Sequence, residues 1–130
     1  MIRQYYGRVN GIFMYNKKYR NDFFQEIFDK VAKHLLTQNK RATNEKGQCK
    51  YRFHDLKCAA GCLIPDTDYD KKYEDQTVYS LLYFENAGYS GAEIRFIRDL
   101  QIIHDNHPVS SWKDHLFDIA KQNKLTINFE

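Results

Sequence analysis

Apolar residues recur every three or four positions between Asp22 and Gln38, and this spacing predicts an amphipathic α-helix. Asp22 is placed to cap the first turn, with Gln25 at the third position. The apolar row is wide enough to form a core face and consists of Phe24, Ile27, Phe28, Val31 and Leu35. The polar run Asn39–Gln48 that follows predicts a loop.

Two more helices are predicted toward the other end of the chain. An S-x-x-E capping box opens the first, over Ser90–Asp105, and an S-x-x-D sequence opens the second, over Ser111–Asn123. Asn106–Pro108 interrupts the helical pattern between them. We therefore expect an antiparallel helical pair joined by a short connection.

Strand-like patterns are short and lie nearer the start of the chain. Asn10-Gly11 stands between the β-prone runs Tyr5–Val9 and Ile12–Tyr15, and Asn-Gly supplies the positive φ values of a type I′ turn. A β-hairpin is predicted there. Lys50–Phe53 predicts a short central strand.

The middle of the chain gives weaker patterns. Ala59 is expected to open a brief helix that Pro65 ends, and Pro65–Gln76 reads as an exposed turn region. Val78–Asn86 suits a strand by propensity, but its apolar spacing favours a helix that ends before Gly88.

These elements predict an α+β fold, mainly helical, with an N-terminal β-hairpin and a short central strand. A length of 130 residues, with no linker or repeat, indicates one domain. We expect residues 1–22 to form a hairpin extension and residues 23–125 to form the helical core.

The charge is uneven along the chain. Residues 1–57 hold 13 Lys/Arg and 5 Asp/Glu, whereas residues 58–130 hold 7 and 12. Such asymmetry predicts a basic face that could meet phosphates or an acidic partner, unless the two halves intermix in the fold.

The expected location is the cytoplasm. The first twenty residues hold no apolar core of signal-peptide length, and no apolar run approaches a membrane span. Three clustered cysteines fit a reducing compartment better than a disulfide framework, because an odd count leaves one thiol unpaired.

All three cysteines lie within eighteen residues, which makes this stretch the main candidate for chemistry. A Cys₃His zinc site is one interpretation, with Cys49, His54, Cys58 and Cys62 as ligands. The spacing lacks the tight knuckle of structural zinc sites. The favoured interpretation has Cys58 and Cys62 packed as small hydrophobic residues, with no metal or other cofactor.

A cysteine enzyme is a second interpretation of the same stretch. Cys58 or Cys62 would be the nucleophile, His104 the base, and Asp99 or Asp105 the carboxylate that orients it. A histidine on an apolar helical row is more often a hydrogen-bonded core residue.

The N-terminal part interleaves cations with tyrosines, a composition typical of binding surfaces. The predicted partner-binding residues are Arg3, Tyr5, Tyr6, Arg8, Lys17, Lys18, Tyr19 and Arg20. A single-stranded nucleic acid could use the same residues, together with Lys40, Arg41, Lys46, Lys50 and Arg52. The pI of about 8.7 is modest for that role.

Three segments carry a resemblance to known proteins: EIFDKVAKHLLTQ at 26–38, YRF with LKCAAGCLIPD at 51–66, and RDLQIIHDNHPVSSW at 98–112. Across residues 24–123 the chain resembles a group of short proteins of unassigned function encoded by bacteriophages and prophages. The region 1–22 lies outside the likeness.

The resemblance implies a viral protein in the host cytoplasm but assigns no reaction. Its pattern positions here are Cys58, Cys62, Asp66, Leu100, His104 and Asp105. The position of His54 is usually filled by other residue types, which weakens the zinc interpretation. We therefore expect a non-enzymatic phage accessory protein that binds a host or viral macromolecule, with a small cysteine-dependent or zinc-dependent enzyme and a nucleic-acid binder as alternatives.

Overall fold

The computed structural model describes the backbone of residues 4–9, 12–14 and 20–129, and the side chains of residues 23–129. Helices dominate this part of the chain. The α-helices are α1 (Arg20–Gln38), α2 (Leu82–Asn86), α3 (Gly91–Asn106) and α4 (Trp112–Gln122), and short 3₁₀ helices span Gly61–Leu63, Lys71–Asp75 and Val109–Ser111. No helix among the described residues is long and apolar enough to cross a membrane.

Two antiparallel strand pairs accompany the helices. The strand β1 (Gln4–Val9) pairs with β2 (Ile12–Met14), and the predicted turn at Asn10-Gly11 lies outside the described residues. The strand β3 (Arg52–Phe53) pairs with β4 (Leu56–Lys57) across a tight connection in which His54 has φ +57°.

The helix α1 provides one wall of the core. It begins at Arg20, two residues before the predicted cap Asp22, and ends at Gln38 as predicted. Asn39 follows with φ +52° and donates its N–H to the Leu35 carbonyl at 2.8 Å, which is a left-handed helix end.

The helix α3 confirms the predicted capping box. The Glu93 N–H donates to Ser90 Oγ at 3.1 Å, and the Ser90 N–H donates to Glu93 Oε1 at 3.0 Å. Both bonds satisfy amides that a helix start leaves without partners. The helix ends at Asn106, beside the predicted boundary.

The start of α4 differs from the prediction that Ser111 caps it. The Ser111 hydroxyl instead donates to the Pro108 carbonyl at 3.0 Å. The 3₁₀ helix Val109–Ser111 gives Ser111 ψ near 1°, whereas a capping residue has extended backbone. The 3₁₀ helix thus takes the place of a side-chain cap.

The segment before α2 is less helical than predicted, because helix is confined to Leu82–Asn86. Thr77 and Ser80 exchange hydrogen bonds: the Thr77 N–H donates to Ser80 Oγ at 3.1 Å and the Ser80 N–H to Thr77 Oγ1 at 3.2 Å. Such bonds compete with the helical pattern. The helix expected from Ala59 is likewise reduced to the 3₁₀ helix Gly61–Leu63.

The described residues share one hydrophobic core, in which α1 packs against α3, α4 and the 3₁₀ helix Gly61–Leu63. Trp112, Phe28 and Phe84 are its largest fully buried side chains. The segment after α4 returns to α1, where Gln25 accepts from the Thr126 N–H at 2.8 Å and donates to its carbonyl at 2.9 Å. The mainly helical single domain is therefore as expected.

Candidate functional site

The structure does not bring the four predicted zinc ligands together. Cys49 is exposed beside a bridge to Thr43, and His54 lies at the exposed turn between β3 and β4. Cys58 is fully buried, and Cys62 is partly buried against the core. The four residues are close in sequence but not in space, because the strand pair places His54 on the surface while the following turn places Cys58 in the core.

Cys58 and Cys62 bond to their own turn. The Gly61 N–H donates to Cys58 Sγ at 3.2 Å, and the Cys62 thiol donates to the Ala59 carbonyl at 3.1 Å. Burial raises the pKa of Cys58 well above its usual range, and burial raises the pKa of Cys62 to about 12. Both stay protonated at neutral pH, which is unfavourable for a nucleophile or a metal ligand.

His104 holds the chain that follows α1. Its Nε2 accepts the Ala42 N–H at 2.9 Å, so in the neutral ring the proton is on Nδ1. Nδ1 lies 2.7 Å from Asp105 Oδ1 and donates to it. The ring is fully buried and stacks on Trp112 with the centroids 5.5 Å apart. Neither nitrogen is free to take a proton from Cys58 or Cys62, and Asp105, not Asp99, is the orienting carboxylate.

Gln101 holds the cysteine turn in the same way. Its Oε1 accepts the Ala60 N–H at 2.8 Å, and its Nε2 donates to Asp105 Oδ1 at 2.8 Å. One carboxylate thus orients two side chains of α3, and each of them binds a backbone amide from a different segment. We call Gln101, His104 and Asp105, with the Ala42 and Ala60 amides, the buried network.

The glycine of the cysteine turn permits a close backbone approach. A Cβ on Gly61 would overlap the carbonyl group of Tyr51, which leaves no room for any other residue. Small residues at Ala59 and Ala60, both fully buried, let the turn pack under α1 and α3. The segments LKCAAGCLIPD and DLQIIHD therefore contact each other through the hydrogen bond between Ala60 and Gln101.

Asp66, which follows the cysteine turn, lies on the surface. It pairs with Arg52 at 2.7 Å and with Lys57 at 3.4 Å. The hydrogen bond from Arg52 is the main reason that the pKa of Asp66 is below its usual value, with Lys57 next. Arg52 also donates to the Ile64 carbonyl at 2.5 Å. Asp66 therefore holds in place an arginine that stabilises the end of the cysteine turn.

Cys49, His104 and Asp105 form a cluster that the sequence did not predict, and their ligand atoms lie within 4.8 Å of one another. It is the one such group of three among the residues from 23 to 129. A metal on Nδ1 of His104 would need that nitrogen deprotonated, while the Ala42 N–H already occupies the lone pair of Nε2. The donor set does not fit a metal ion unless the buried network breaks.

The same cluster does not activate the Cys49 thiol. Cys49 is exposed as a residue, but partial desolvation of its thiol, and then the negative charge of Asp105 and a hydrogen bond to it, raise the pKa of Cys49 to about 11. In a catalytic arrangement the imidazole stands between the thiol and the carboxylate. Here the carboxylate bonds to both, so it keeps the thiol protonated. Cys49 and Asp105 are 56 positions apart in the chain, so no local pattern in the sequence indicates this contact.

A pocket of about 430 Å³ opens beside this cluster. Its lining includes Cys49, Tyr79, Arg98 and Asp105. The Arg98 guanidinium lies over the Tyr79 ring at 5.3 Å from its centroid. Tyr79 is 53% exposed, and the neighbouring Leu82 is 60% exposed. We call Tyr79, Leu82 and Arg98 the exposed edge.

The predicted partner-binding residues fall outside what can be described. Tyr5, Tyr6 and Arg8 belong to β1, and Arg20 begins α1, but the described side chains start at residue 23. Arg3, Lys17, Lys18 and Tyr19 lie outside the described residues altogether. Of the other cations, Arg41 donates to the His104 carbonyl at 3.0 Å and to the His107 carbonyl at 2.5 Å, which satisfies the end of α3.

Comparisons of the chain with protein-family models, with curated proteins and with solved structures found no match in any of the three.

Proposed function

We propose that the protein is a non-enzymatic accessory protein that acts by binding another protein. The observation that carries the proposal is the exposed edge: Tyr79 and Leu82, three positions apart in the chain, are 53% and 60% exposed, and Arg98 lies over the Tyr79 ring. Large side chains exposed so close together in the chain favour an interaction surface.

The chemistry of the exposed edge suits an interface. Tyr and Arg are the side chains whose truncation most often weakens protein complexes, because they combine large contact area with directional polar groups. The guanidinium of Arg98 over the Tyr79 ring holds both side chains in place before a partner arrives. The recesses beside Tyr79 and Leu82 could receive side chains of a partner.

The states of the thiol and imidazole groups favour a binding protein and argue against a cysteine enzyme centred on Cys58, Cys62 and His104. The thiols have raised pKa values, and the imidazole bonds through both nitrogens. A nucleophile needs the opposite arrangement, with a base free to accept its proton.

The basic N-terminal part remains a second surface of the proposal. Its cations, with the excess of 13 Lys/Arg over 5 Asp/Glu in residues 1–57, would attract an acidic partner. The resemblance to phage proteins would make the partner a host or viral macromolecule in the cytoplasm of a bacterium. Arg41 and Arg52 are engaged within the fold, which leaves fewer cations for a nucleic acid.

Affinity capture from a nuclease-treated bacterial lysate, with quantitative mass spectrometry, tests the proposal. The bait proteins are the wild type, Tyr79→Ser with Leu82→Ser, and the quadruple variant Arg3→Glu, Arg8→Glu, Lys17→Glu and Lys18→Glu. Phe117→Ser is the matched control, because Phe117 is another exposed apolar side chain at 40%. Phe117 also contacts the Phe129 ring, so a urea denaturation curve for every bait checks that loss of capture is not loss of the fold.

We expect one protein to copurify in fixed ratio with the wild type and the control, and to be lost with the Tyr79/Leu82 variant. Loss with the quadruple variant alone would assign the surface to the N-terminal part, as the sequence predicted. A protein retained by all variants, or capture of nucleic acid alone before nuclease treatment, would overturn the proposal.

A further inference from the structure

We propose that a second recess, lined in part by Leu82, binds a lysine or arginine side chain of the partner. This inference rests on the proposed function, because it gives the chemistry of the partner segment that the exposed edge would meet. The recess has a volume of about 560 Å³, and its lining includes Asp68, Tyr73, Leu82 and Tyr83. We call it the Tyr73 pocket.

Two tyrosine rings form walls of the Tyr73 pocket. The centroids of Tyr73 and Tyr83 are 6.0 Å apart and their planes are inclined by 46°, so the rings make a trough and not a parallel stack. Tyr69 meets Tyr73 edge-on, with the centroids 6.1 Å apart and the planes at 89°. The face of an aromatic ring carries negative charge density and attracts a cation within about 6 Å of its centroid.

The carboxylate of Asp68 gives the pocket a negative charge. It accepts the Tyr83 hydroxyl at 2.8 Å through Oδ2, and Oδ1 has a long contact of 3.4 Å from Thr67. A carboxylate has about four acceptor positions, so capacity remains for an ammonium or guanidinium group. Asp68 is the one charged residue that lines this pocket within the described part of the chain.

The surroundings favour the same occupant. The segment 66–75 holds five acidic residues and two lysines, Lys71 and Lys72, which belong to the 3₁₀ helix and do not line the pocket. Leu82, at 60% exposure, would cover the aliphatic stem of an entering side chain while the charged end reached Asp68. An acidic or apolar partner segment would lose one of these contacts.

Fluorescence anisotropy with labelled peptides tests the inference. The probe is a short Gly/Ser peptide with three lysines, compared with the same peptide carrying three acetyl-lysines and with an arginine version. The proteins are the wild type, Asp68→Asn and Tyr73→Leu. Asp114→Asn is the matched control, because Asp114 is also an exposed carboxylate but lies in α4. Circular dichroism checks that each variant is folded.

We expect the lysine and arginine peptides to bind at low salt and the acetylated peptide not to bind. Asp68→Asn and Tyr73→Leu should each weaken binding by about threefold, a size typical of one exposed charge pair or cation–π contact. Asp114→Asn should leave binding unchanged.

Equal binding of the acetylated peptide, or an equal loss with Asp114→Asn, would overturn the inference, since either result would indicate a diffuse attraction. If the peptides fail while the lysate partner still depends on Tyr79 and Leu82, the cation site is wrong and the protein-binding proposal stands. If both experiments fail, both proposals are overturned.

Discussion

On the buried side of α3, each polar side chain of the network makes at least two hydrogen bonds, and two of those bonds hold backbone amides of distant segments. Around α2, by contrast, Tyr79 and Leu82 are more than half exposed, and Arg98 rests on a ring instead of on a buried partner. The titratable groups that sequence analysis singled out as chemical candidates thus lie mainly in the region that stabilises the fold.

The difference teaches how to interpret a cluster of cysteine, histidine and aspartate. In the buried network every donor faces an acceptor, and such satisfied hydrogen bonds make the fold rigid. The pKa of each nearby thiol is raised, which keeps the thiols unreactive. The exposed edge has little titratable chemistry but much accessible area, which favours binding. Substitutions should therefore change stability in the first region and recognition in the second.

Gly61→Ala should cause the largest loss of stability, because it changes the close packing on the buried side of α3. The new Cβ would overlap the Tyr51 carbonyl group, and a backbone atom cannot move aside as a flexible side chain can. We expect a loss of about 3 kcal/mol or more in the free energy of unfolding, measured by urea denaturation.

Gly91→Ala is the matched control for that change. A Cβ on Gly91 would meet Arg95 Nη1 at 3.6 Å, which is an ordinary contact with a mobile side chain. Its effect should stay within about 1 kcal/mol and is expected to stabilise α3. Equal denaturation midpoints for the wild type and Gly61→Ala would contradict the close packing of the cysteine turn.

Gln101→Leu should have the next largest effect. It keeps the side-chain bulk but leaves the buried Ala60 N–H without its acceptor and removes one donor to Asp105. An unsatisfied buried amide predicts a loss of about 2 kcal/mol by urea denaturation. Gln122→Leu, at an exposed position of α4, should change stability by less than about 0.5 kcal/mol. Similar losses for the two variants would show that the Ala60 bond contributes nothing.

Local rules predicted part of this architecture. The Ser90 and Glu93 capping box and the ends of α1 and α3 followed from neighbouring residues, because helix caps and apolar periodicity act over a few positions. The short α2 was missed because the bonds between Thr77 and Ser80 compete with helix formation in a way that propensity does not weigh.

The site itself could not be predicted in the same way. Packing of Cys58 and Cys62 as small buried residues was the favoured interpretation, and the composition of the CAAGC segment indicates it. That the Ala42 amide meets His104, 62 residues away, depends on how α1 and α3 pack together. The role of Gln101 was missed for the same reason. No periodicity or spacing encodes such contacts between distant segments.

Asp105→Asn should give the smallest effect on the fold but the sharpest test of how the network controls a thiol. Only the thiolate reacts with an alkylating reagent, and at a pH of about 8 its fraction rises tenfold for each unit by which the pKa falls. Removing the negative charge beside Cys49 lowers its pKa from about 11. Burial, the larger cause, remains. Alkylation of Cys49, followed by mass spectrometry, should therefore accelerate by about threefold or more.

Cys58 is the internal control for that measurement. It is fully buried, so its alkylation requires the protein to open and reports any general loss of stability. Faster labelling of Cys49 with unchanged labelling of Cys58 would assign the effect to the lost charge. If the alkylation of both thiols became faster to the same extent, the substitution would have destabilised the fold. Asp105 would then stabilise the buried network without controlling the reactivity of Cys49.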